Sequence, residues 1–121
     1  MASVRYFVTD VQQAVDFYTK AFDFKVEKQF EAMAILKLGD LTLWTAGPDA
    51  SAARPMPDGR KPEPGGWNRF VVEVSNLPAT VTKLKSQGVR FRNEIVSGPG
   101  GQQILAEDPS GNVVELFQPA V

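Results

Sequence analysis

The first 46 residues alternate between apolar and polar positions in a way that predicts a strand, a helix and three further strands. Residues 3–9 are rich in β-branched and aromatic side chains, as strands are. Asp10 can cap a helix, and the apolar residues after it recur at helical spacing, so a helix is predicted over 11–22. Asp23 would then be its left-handed C-terminal residue. The strands predicted after this helix cover residues 24–30, 32–38 and 41–46.

The second half of the chain repeats this order of elements. Residues 68–74 predict a strand, and Asn76 can cap a helix that ends at Gly88. Because Asp10 and Asn76 lie 66 residues apart and open equivalent helices, the pattern indicates an internal duplication. The predicted fold class is α+β, with two βαβββ modules that pack as a pair and carry their helices outside. The strands predicted after the second helix cover residues 89–96, 101–107 and 112–118.

Between these modules the composition changes. The segment 47–66 holds five prolines and four glycines in twenty residues, so it can sustain neither a helix nor a sheet. It is interpreted as a linker, with a long binding loop as the alternative. We therefore predict one domain made of an N-terminal module at 1–46, a linker at 47–66 and a C-terminal module at 67–121.

Charge and hydropathy argue against two classes of partner. The 121 residues include 13 Lys and Arg against 14 Asp and Glu, a formal net charge of −1. Nucleic-acid-binding proteins usually show a basic excess or a basic stripe, and this sequence has neither. It also has no apolar run long enough for a membrane span and no signal-peptide core at its N-terminus. A cytoplasmic protein without nucleic-acid or membrane contacts is predicted.

The absence of two residue types restricts the chemistry further. The chain has no cysteine, which excludes disulfides, thiol nucleophiles and thiolate metal sites. It also has no histidine, the commonest metal ligand and the commonest general base near neutral pH. Nucleophilic catalysis by a Ser-His or Cys-His pair is therefore excluded.

Three segments in this duplicated order resemble one protein family. They are 8–18, which reads Val-Thr-Asp-Val-Gln-Gln-Ala-Val-Asp-Phe-Tyr, then 36–43, and then 108–117, which reads Asp-Pro-Ser-Gly-Asn-Val-Val-Glu-Leu-Phe. Together they resemble the vicinal oxygen chelate superfamily, which includes glyoxalase I, extradiol dioxygenases, fosfomycin-resistance transferases and bleomycin-resistance proteins. The resemblance implies an eight-stranded curved cup that binds a small molecule. It also implies a homodimer, because a second chain often completes the cup.

In metal-dependent relatives, four inward-facing positions hold the ion. The resemblance puts these positions at Ser3, Leu43, Arg69 and Glu115. Only Glu115 is a good ligand, and Arg69 would bring a fixed positive charge to the place of the ion. We therefore expect neither a metal nor another cofactor. Arg69 and Glu115 are expected to form a bidentate ion pair in place of the ion, or alternatively a pair that only holds the sheet together.

Strand alternation predicts which side chains line the cup. Aromatic and charged residues share the predicted inner faces, as they do in ligand sites. Trp44 and Trp67 are candidates for stacking on a ligand, and which of them lines the cup is left open. Arg90 and Arg92 are interpreted as a solvated strand face. The predicted ligand-binding residues are Arg5, Phe7, Leu43, Thr45, Trp67, Arg69, Gln103, Glu115 and Phe117.

The leading hypothesis is a metal-free protein of the bleomycin-resistance type that sequesters a drug or metabolite. The first alternative is a metal-free lyase, isomerase or cyclase acting on a carbonyl compound, with Glu115 or Glu73 as catalytic acid or base and Arg69 or Arg5 steadying an enolate. The second alternative is a metal-dependent glyoxalase or lyase. Whether the protein is an enzyme is left open.

Overall fold

The computed structural model describes residues 2–120 and divides them into two compact units. The first unit contains residues 2–65 together with 109–112, and the second contains 66–108 together with 113–120. Each unit combines one helix with one sheet, so the predicted α+β class is confirmed. Neither helix is long and apolar enough to cross a membrane.

The first unit has a four-stranded sheet and a twelve-residue helix. The strand order is β1-β4-β3-β2; β1 runs parallel to β4, and the other pairs are antiparallel. Its elements are β1 (Val4–Phe7), α1 (Val11–Phe22), β2 (Lys25–Gln29), β3 (Met33–Leu38) and β4 (Leu41–Ala46).

Helix α1 forms where its capping residues and apolar stripe predict it. The Asp10 carboxylate accepts a hydrogen bond from the Gln13 N–H at 2.8 Å, and Asp23 ends the helix in the left-handed region at φ 60°. Tyr18 is completely buried and meets Phe24 edge to face, with ring centroids 5.3 Å apart. The buried stripe consists of Val11, Ala14, Val15, Tyr18 and Phe22, and it packs the helix onto the sheet.

The Pro- and Gly-rich segment 47–66 lies almost wholly within the first unit. It begins at Gly47, where a Cβ atom would lie 2.8 Å from Val11 Cγ2, so only glycine fits between the loop and the helix. A short 3-10 helix, Ser51–Ala53, follows. At the other end, the Gly65 N–H donates to Asn112 Oδ1 at 2.8 Å.

The turn 109–112 completes this unit although it is distant from it in sequence. Asn112 is 4% exposed, and its Nδ2 donates to the Phe7 carbonyl at 2.7 Å. The Thr9 N–H donates to Ser110 Oγ at 2.9 Å. The sequence predicts only that this segment connects two strands, and the structure shows that its side chains satisfy backbone groups at the end of β1 and of the long loop.

The second unit contains five strands and one helix among its described residues. The strand order is β5-β9-β8-β6, with β7 pairing to β8. The elements are β5 (Phe70–Glu73), α2 (Leu77–Ser86), β6 (Arg90–Phe91), β7 (Val96–Gly98), β8 (Gly101–Glu107) and β9 (Val113–Pro119).

The single strand predicted over 89–96 is wrong, because it is divided into β6 and β7. The Arg92 N–H still donates to the Leu105 carbonyl at 2.9 Å. At the next position, the Asn93 side chain replaces the backbone carbonyl as acceptor. Asn93 Oδ1 accepts the Leu105 N–H at 3.0 Å, where a backbone carbonyl would otherwise extend the ladder. The strand is therefore interrupted until Val96 pairs with Gln103.

Helix α2 covers one face of this second sheet. The Asn76 side chain caps it by accepting the Ala79 N–H at 3.1 Å, as predicted. The residues buried on its inner side are Leu77, Val81 and Leu84. They complete a core with the buried strand residues Phe70, Ile104, Ala106, Val114 and Leu116.

Replacing Asn112 with Ala should destabilise the protein. The change leaves the partly buried Phe7 carbonyl and Gly65 N–H without these partners, at a cost of about 2 kcal/mol in the free energy of unfolding. Asn112→Asp should also destabilise, because a carboxylate oxygen would face the Phe7 carbonyl. Urea denaturation measures both, with the exposed Asn68→Ala as the matched control. Equal stability of N112A and N68A would contradict this role.

Candidate functional site

The open face of the second sheet, opposite α2, carries most of the predicted site residues. Paired strand residues share a face, and the register places Glu115 opposite both Val71 and Leu105. Phe117 lies opposite both Glu73 and Gln103 on the same face. Strand alternation therefore places Glu115 and Phe117 on the same open face, as predicted.

Arg69 and Glu115 form an ion pair on this open face. Arg69 Nε donates to Glu115 Oε1 at 2.9 Å, and Nη2 donates to the same oxygen at 2.8 Å. The side chains are 27% and 11% exposed, so the pair is largely removed from water. The predicted bidentate geometry, in which each nitrogen would bind a different carboxylate oxygen, is not formed, because Nε and Nη2 both donate to Oε1. Glu115 Oε2 accepts no hydrogen bond within residues 2–120.

A second ion pair holds Trp67 in place. Arg92 Nε donates to Glu107 Oε2 at 2.9 Å, and Nη1 donates to the Gly66 carbonyl at 2.7 Å. The Arg92 guanidinium lies 4.6 Å from the centroid of the Trp67 ring. Trp67 is nevertheless 67% exposed, so one face of its indole is covered by Arg92 while most of the side chain meets solvent.

The interpretation of Arg92 as part of a solvated face is wrong, because its side chain is only 18% exposed and is fully engaged. Neither its partner Glu107 nor the stacking on Trp67 was predicted. The sequence around Arg92 could not predict either contact, because both partners are distant in sequence. Glu107 lies on β8 and Trp67 in the segment before β5. Arg90, by contrast, is exposed as expected.

The two candidate catalytic carboxyls share the open face but differ in environment. Glu73 is exposed, whereas Glu115 is buried and bound by Arg69. In enzymes with paired carboxylates, the one that acts as the acid commonly lies in an apolar pocket. Glu73 is exposed and Glu115 is paired with a cation, so the structure does not divide acid and base roles between them.

The first unit corrects part of the predicted lining. The β1–β4 register pairs Arg5 with Trp44 and Phe7 with Ala46, and the Arg5 guanidinium lies 4.9 Å from the Trp44 ring centroid. Trp44 therefore shares a face with Arg5 and Phe7. Leu43 and Thr45 lie on the opposite face, and both are completely buried.

The predicted placement of Leu43 and Thr45 on the inner face is therefore wrong. Alternation within each strand was predicted correctly. Which face of β4 matches which face of β1 depends on the pairing register, because a slip of one residue moves every side chain to the opposite face. Thr45 instead donates its hydroxyl to the Ala34 carbonyl at 3.3 Å inside the core.

Comparison with known proteins identifies the family. Residues 1–116 match the Glyoxalase/Bleomycin resistance protein/Dioxygenase superfamily, and the chain belongs to it. No curated protein sequence matches the chain significantly.

Several solved structures share the fold. A lactoylglutathione lyase from Agrobacterium tumefaciens is 17% identical with a TM-score of 0.74, over 98% of this chain and 92% of that one. A genomically encoded fosfomycin resistance protein from Listeria monocytogenes is 13% identical with a TM-score of 0.75, over 100% and 93%. A virulence protein from Salmonella typhimurium is 18% identical with a TM-score of 0.75, over 99% and 96%. At these identities the similarity shows the fold alone.

The residues at the family's metal positions do not fit a metal ion. In the first unit, Leu43 has no donor atom and faces the core, and Ser3 offers a neutral hydroxyl. In the second unit, the Arg69 guanidinium binds Glu115 Oε1, which puts a fixed positive charge beside the one carboxylate of the set. Within residues 2–120, no three Asp or Glu side chains group as a metal site. Divalent ions need several oxygen or nitrogen donors, and this set supplies one carboxylate next to a cation.

A double-mutant cycle on Arg69 and Glu115 should give a coupling free energy of about 1–2 kcal/mol, because a guanidinium and a carboxylate that are largely shielded from water interact strongly. Arg69→Met alone should cost about 3 kcal/mol, since it leaves a buried carboxylate without its cation. The free energy of unfolding of the two single variants and of Arg69→Met/Glu115→Gln measures this coupling.

The control for this cycle is the exposed pair of Arg60 and Asp58, whose side chains are 84% and 53% exposed. Its coupling should stay well below 1 kcal/mol, roughly the upper value for solvated pairs. A coupling of Arg69 and Glu115 no larger than this control would show that the pair does not stabilise the sheet.

Proposed function

We propose that this protein binds a small organic molecule without a metal ion and thereby sequesters a drug or metabolite. The observation that carries the proposal is the Arg69–Glu115 ion pair: a guanidinium neutralises the one carboxylate that stands at the family's metal positions. Chemistry that depends on chelating a substrate to a metal has no donor set here. Binding by shape, stacking and charge needs none.

The surroundings of the pair support a binding role. Trp67 and Val71 are 67% and 50% exposed on or beside the open face, although large apolar side chains are usually covered. The Trp67 ring is held from one side by Arg92, which is itself fixed by Glu107. An indole that is positioned in this way offers a flat apolar surface at little cost in conformational entropy.

The ion pair gives this surface its polar component. Glu115 Oε2 is left to accept a hydrogen bond from a ligand, and Gln103 and Phe117 lie opposite each other on the same face. A ligand with a planar apolar part for Trp67 and a hydrogen-bond donor for Glu115 suits these groups. Within the first unit, Leu43 and Thr45 are completely buried, so neither can contact a ligand.

We extend the proposal to a homodimer, which the family resemblance implies, located in the cytoplasm. Sequestration of an antibiotic agrees with the fold that the chain shares with a fosfomycin resistance protein, a similarity of fold and not of site. Oligomeric state and ligand can be read in one native mass spectrum.

One observation favours a second candidate, a metal-free lyase, isomerase or cyclase. Glu115 Oε2 has no hydrogen-bond partner in the described part of the chain and is free to take a proton from a bound substrate, while Arg69 beside it can stabilise a developing enolate oxygen. Binding ranks first because Glu73 is exposed and therefore poorly placed to serve as a second, shielded acid.

Native mass spectrometry of protein purified without chelators tests the metal-free state. We expect a dimer that takes up no stoichiometric manganese, nickel, zinc or iron, because the Arg69 guanidinium competes for the Glu115 carboxylate. The exposed Glu94→Gln is the matched control for Glu115→Gln. One ion per chain that is lost in E115Q and kept in E94Q would overturn the metal-free proposal.

Substitutions at Trp67 and Glu115 separate binding from catalysis. The probe is any co-purifying organic compound, or otherwise the best hit of a metabolite library in a thermal-shift screen. Trp67→Ala should weaken its binding roughly tenfold through the loss of stacking. Glu115→Gln should weaken binding moderately, with E94Q unchanged. Conversion of the probe by the wild type that stops in E115Q would establish the enzyme and refute simple sequestration.

A further inference from the structure

The first unit contains a cavity of its own, of about 240 Å³, beside Arg5. It lies where the segment after β4 passes over the end of the sheet, and it is formed entirely by residues of this unit. This cavity is separate from the residues of the second sheet on which the proposed function rests. The lining residues are Arg5, Ala32, Met33, Ala46, Asp49, Ala50, Ser51 and Ala52.

Arg5 differs from the two paired arginines of the second unit. Arg69 is paired with Glu115 and Arg92 with Glu107, whereas Arg5 has no acidic partner within residues 2–120. Its guanidinium is instead stacked on Trp44 at 4.9 Å. A guanidinium that stacks on an aromatic ring uses its flat face, and its N–H groups point outward in the plane of the guanidinium itself. Arg5 is therefore a positioned cation whose hydrogen-bond donors are unused.

A carboxylate lines the same cavity without neutralising this cation. Asp49 is exposed, and neither an ion pair nor a hydrogen bond joins it to Arg5 or to any other described residue. Ser51, next to it in the lining, also keeps its hydroxyl unbonded within the described chain. The remaining lining residues are four alanines and Met33, which form apolar walls. Convergent polar groups on apolar walls are typical of small-molecule sites.

The two charges together restrict the ligand. A simple anion on Arg5 would also meet the field of Asp49, and a simple cation on Asp49 would meet that of Arg5. A molecule that carries a carboxylate and an ammonium group satisfies both. We infer that this cavity binds a small zwitterion of the α-amino-acid type: its carboxylate takes the Arg5 N–H groups, its ammonium donates to Asp49 and Ser51, and a short aliphatic body contacts the alanines and Met33.

The size of the cavity agrees with this class. A volume of 240 Å³ equals that of about eight water molecules in the liquid, whereas sites for drug-sized molecules commonly begin at about 300 Å³. The apolar walls consist of small side chains, which favours a short branched body over an aromatic ring.

The test compares L-valine with its two half-molecules, isovalerate, which lacks the ammonium group, and isobutylamine, which lacks the carboxylate. The chain has two tryptophans, so its NMR spectrum has two indole N–H signals, which Trp67→Phe assigns. Titration of the wild type with valine should shift the Trp44 signal, because the ligand binds the guanidinium stacked on that ring. Each half-molecule should bind more weakly than valine, by a factor of roughly ten or more.

Two variants and their controls test the charges separately. Arg5→Gln should abolish the valine-dependent shift, while the exposed Arg90→Gln should leave it unchanged. Asp49→Asn should weaken valine roughly tenfold and at the same time strengthen isovalerate, since a repulsive charge is removed. Asp40→Asn, also exposed, is its control.

The inference is overturned if the Trp44 signal does not shift at millimolar valine, if the shift persists in R5Q, or if valine and isovalerate bind equally. Weakening of both compounds in D49N would equally contradict it. The readout lies in the first unit, and the proposed function is tested at Trp67 and Glu115 in the second. Failure of one therefore leaves the other standing.

Discussion

A carboxylate that is almost nine-tenths buried requires a positive partner, and Glu115 imposes this requirement on the second sheet. Arg69 meets it from the segment that leads into β5, and its Nη1 also donates to the Trp67 carbonyl at 3.2 Å. The backbone next to Trp67 is thereby tied to the centre of the sheet. Arg92 holds the indole itself, so one buried charge and its neighbours organise the whole open face.

The two units share the order of strand, helix and further strands, although the second has one strand more, and their open faces carry different side chains. In the second unit, both central arginines are paired with glutamates, which leaves stacking surface and one carboxylate oxygen for a ligand. In the first unit, Arg5 is stacked on Trp44 and has no acid to neutralise it. In a duplicated framework the buried faces specify the fold, whereas the open faces are free to diverge.

Local signals predicted the framework well and the strand pairing less well. Both helix caps, Asp10 and Asn76, act as their side chains predict, because capping involves only residues within one turn. The predicted strand over 89–96 was wrong because one side chain, Asn93, replaces a backbone acceptor for a residue twelve positions away. No local pattern distinguishes such an asparagine from one in a loop.

The sequence by itself determined the fold class and the helices, because periodicity and capping are properties of short segments. The family resemblance, and not periodicity, implied that Arg69 and Glu115 lie together and that the family's metal positions lack a full donor set. Only the tertiary structure decided that Trp44, and not Leu43 or Thr45, lies beside Arg5, and that Arg92 covers Trp67. The physical reason is register: alternation fixes which side chains of one strand share a face, but the hydrogen-bond pairing between strands decides which faces coincide.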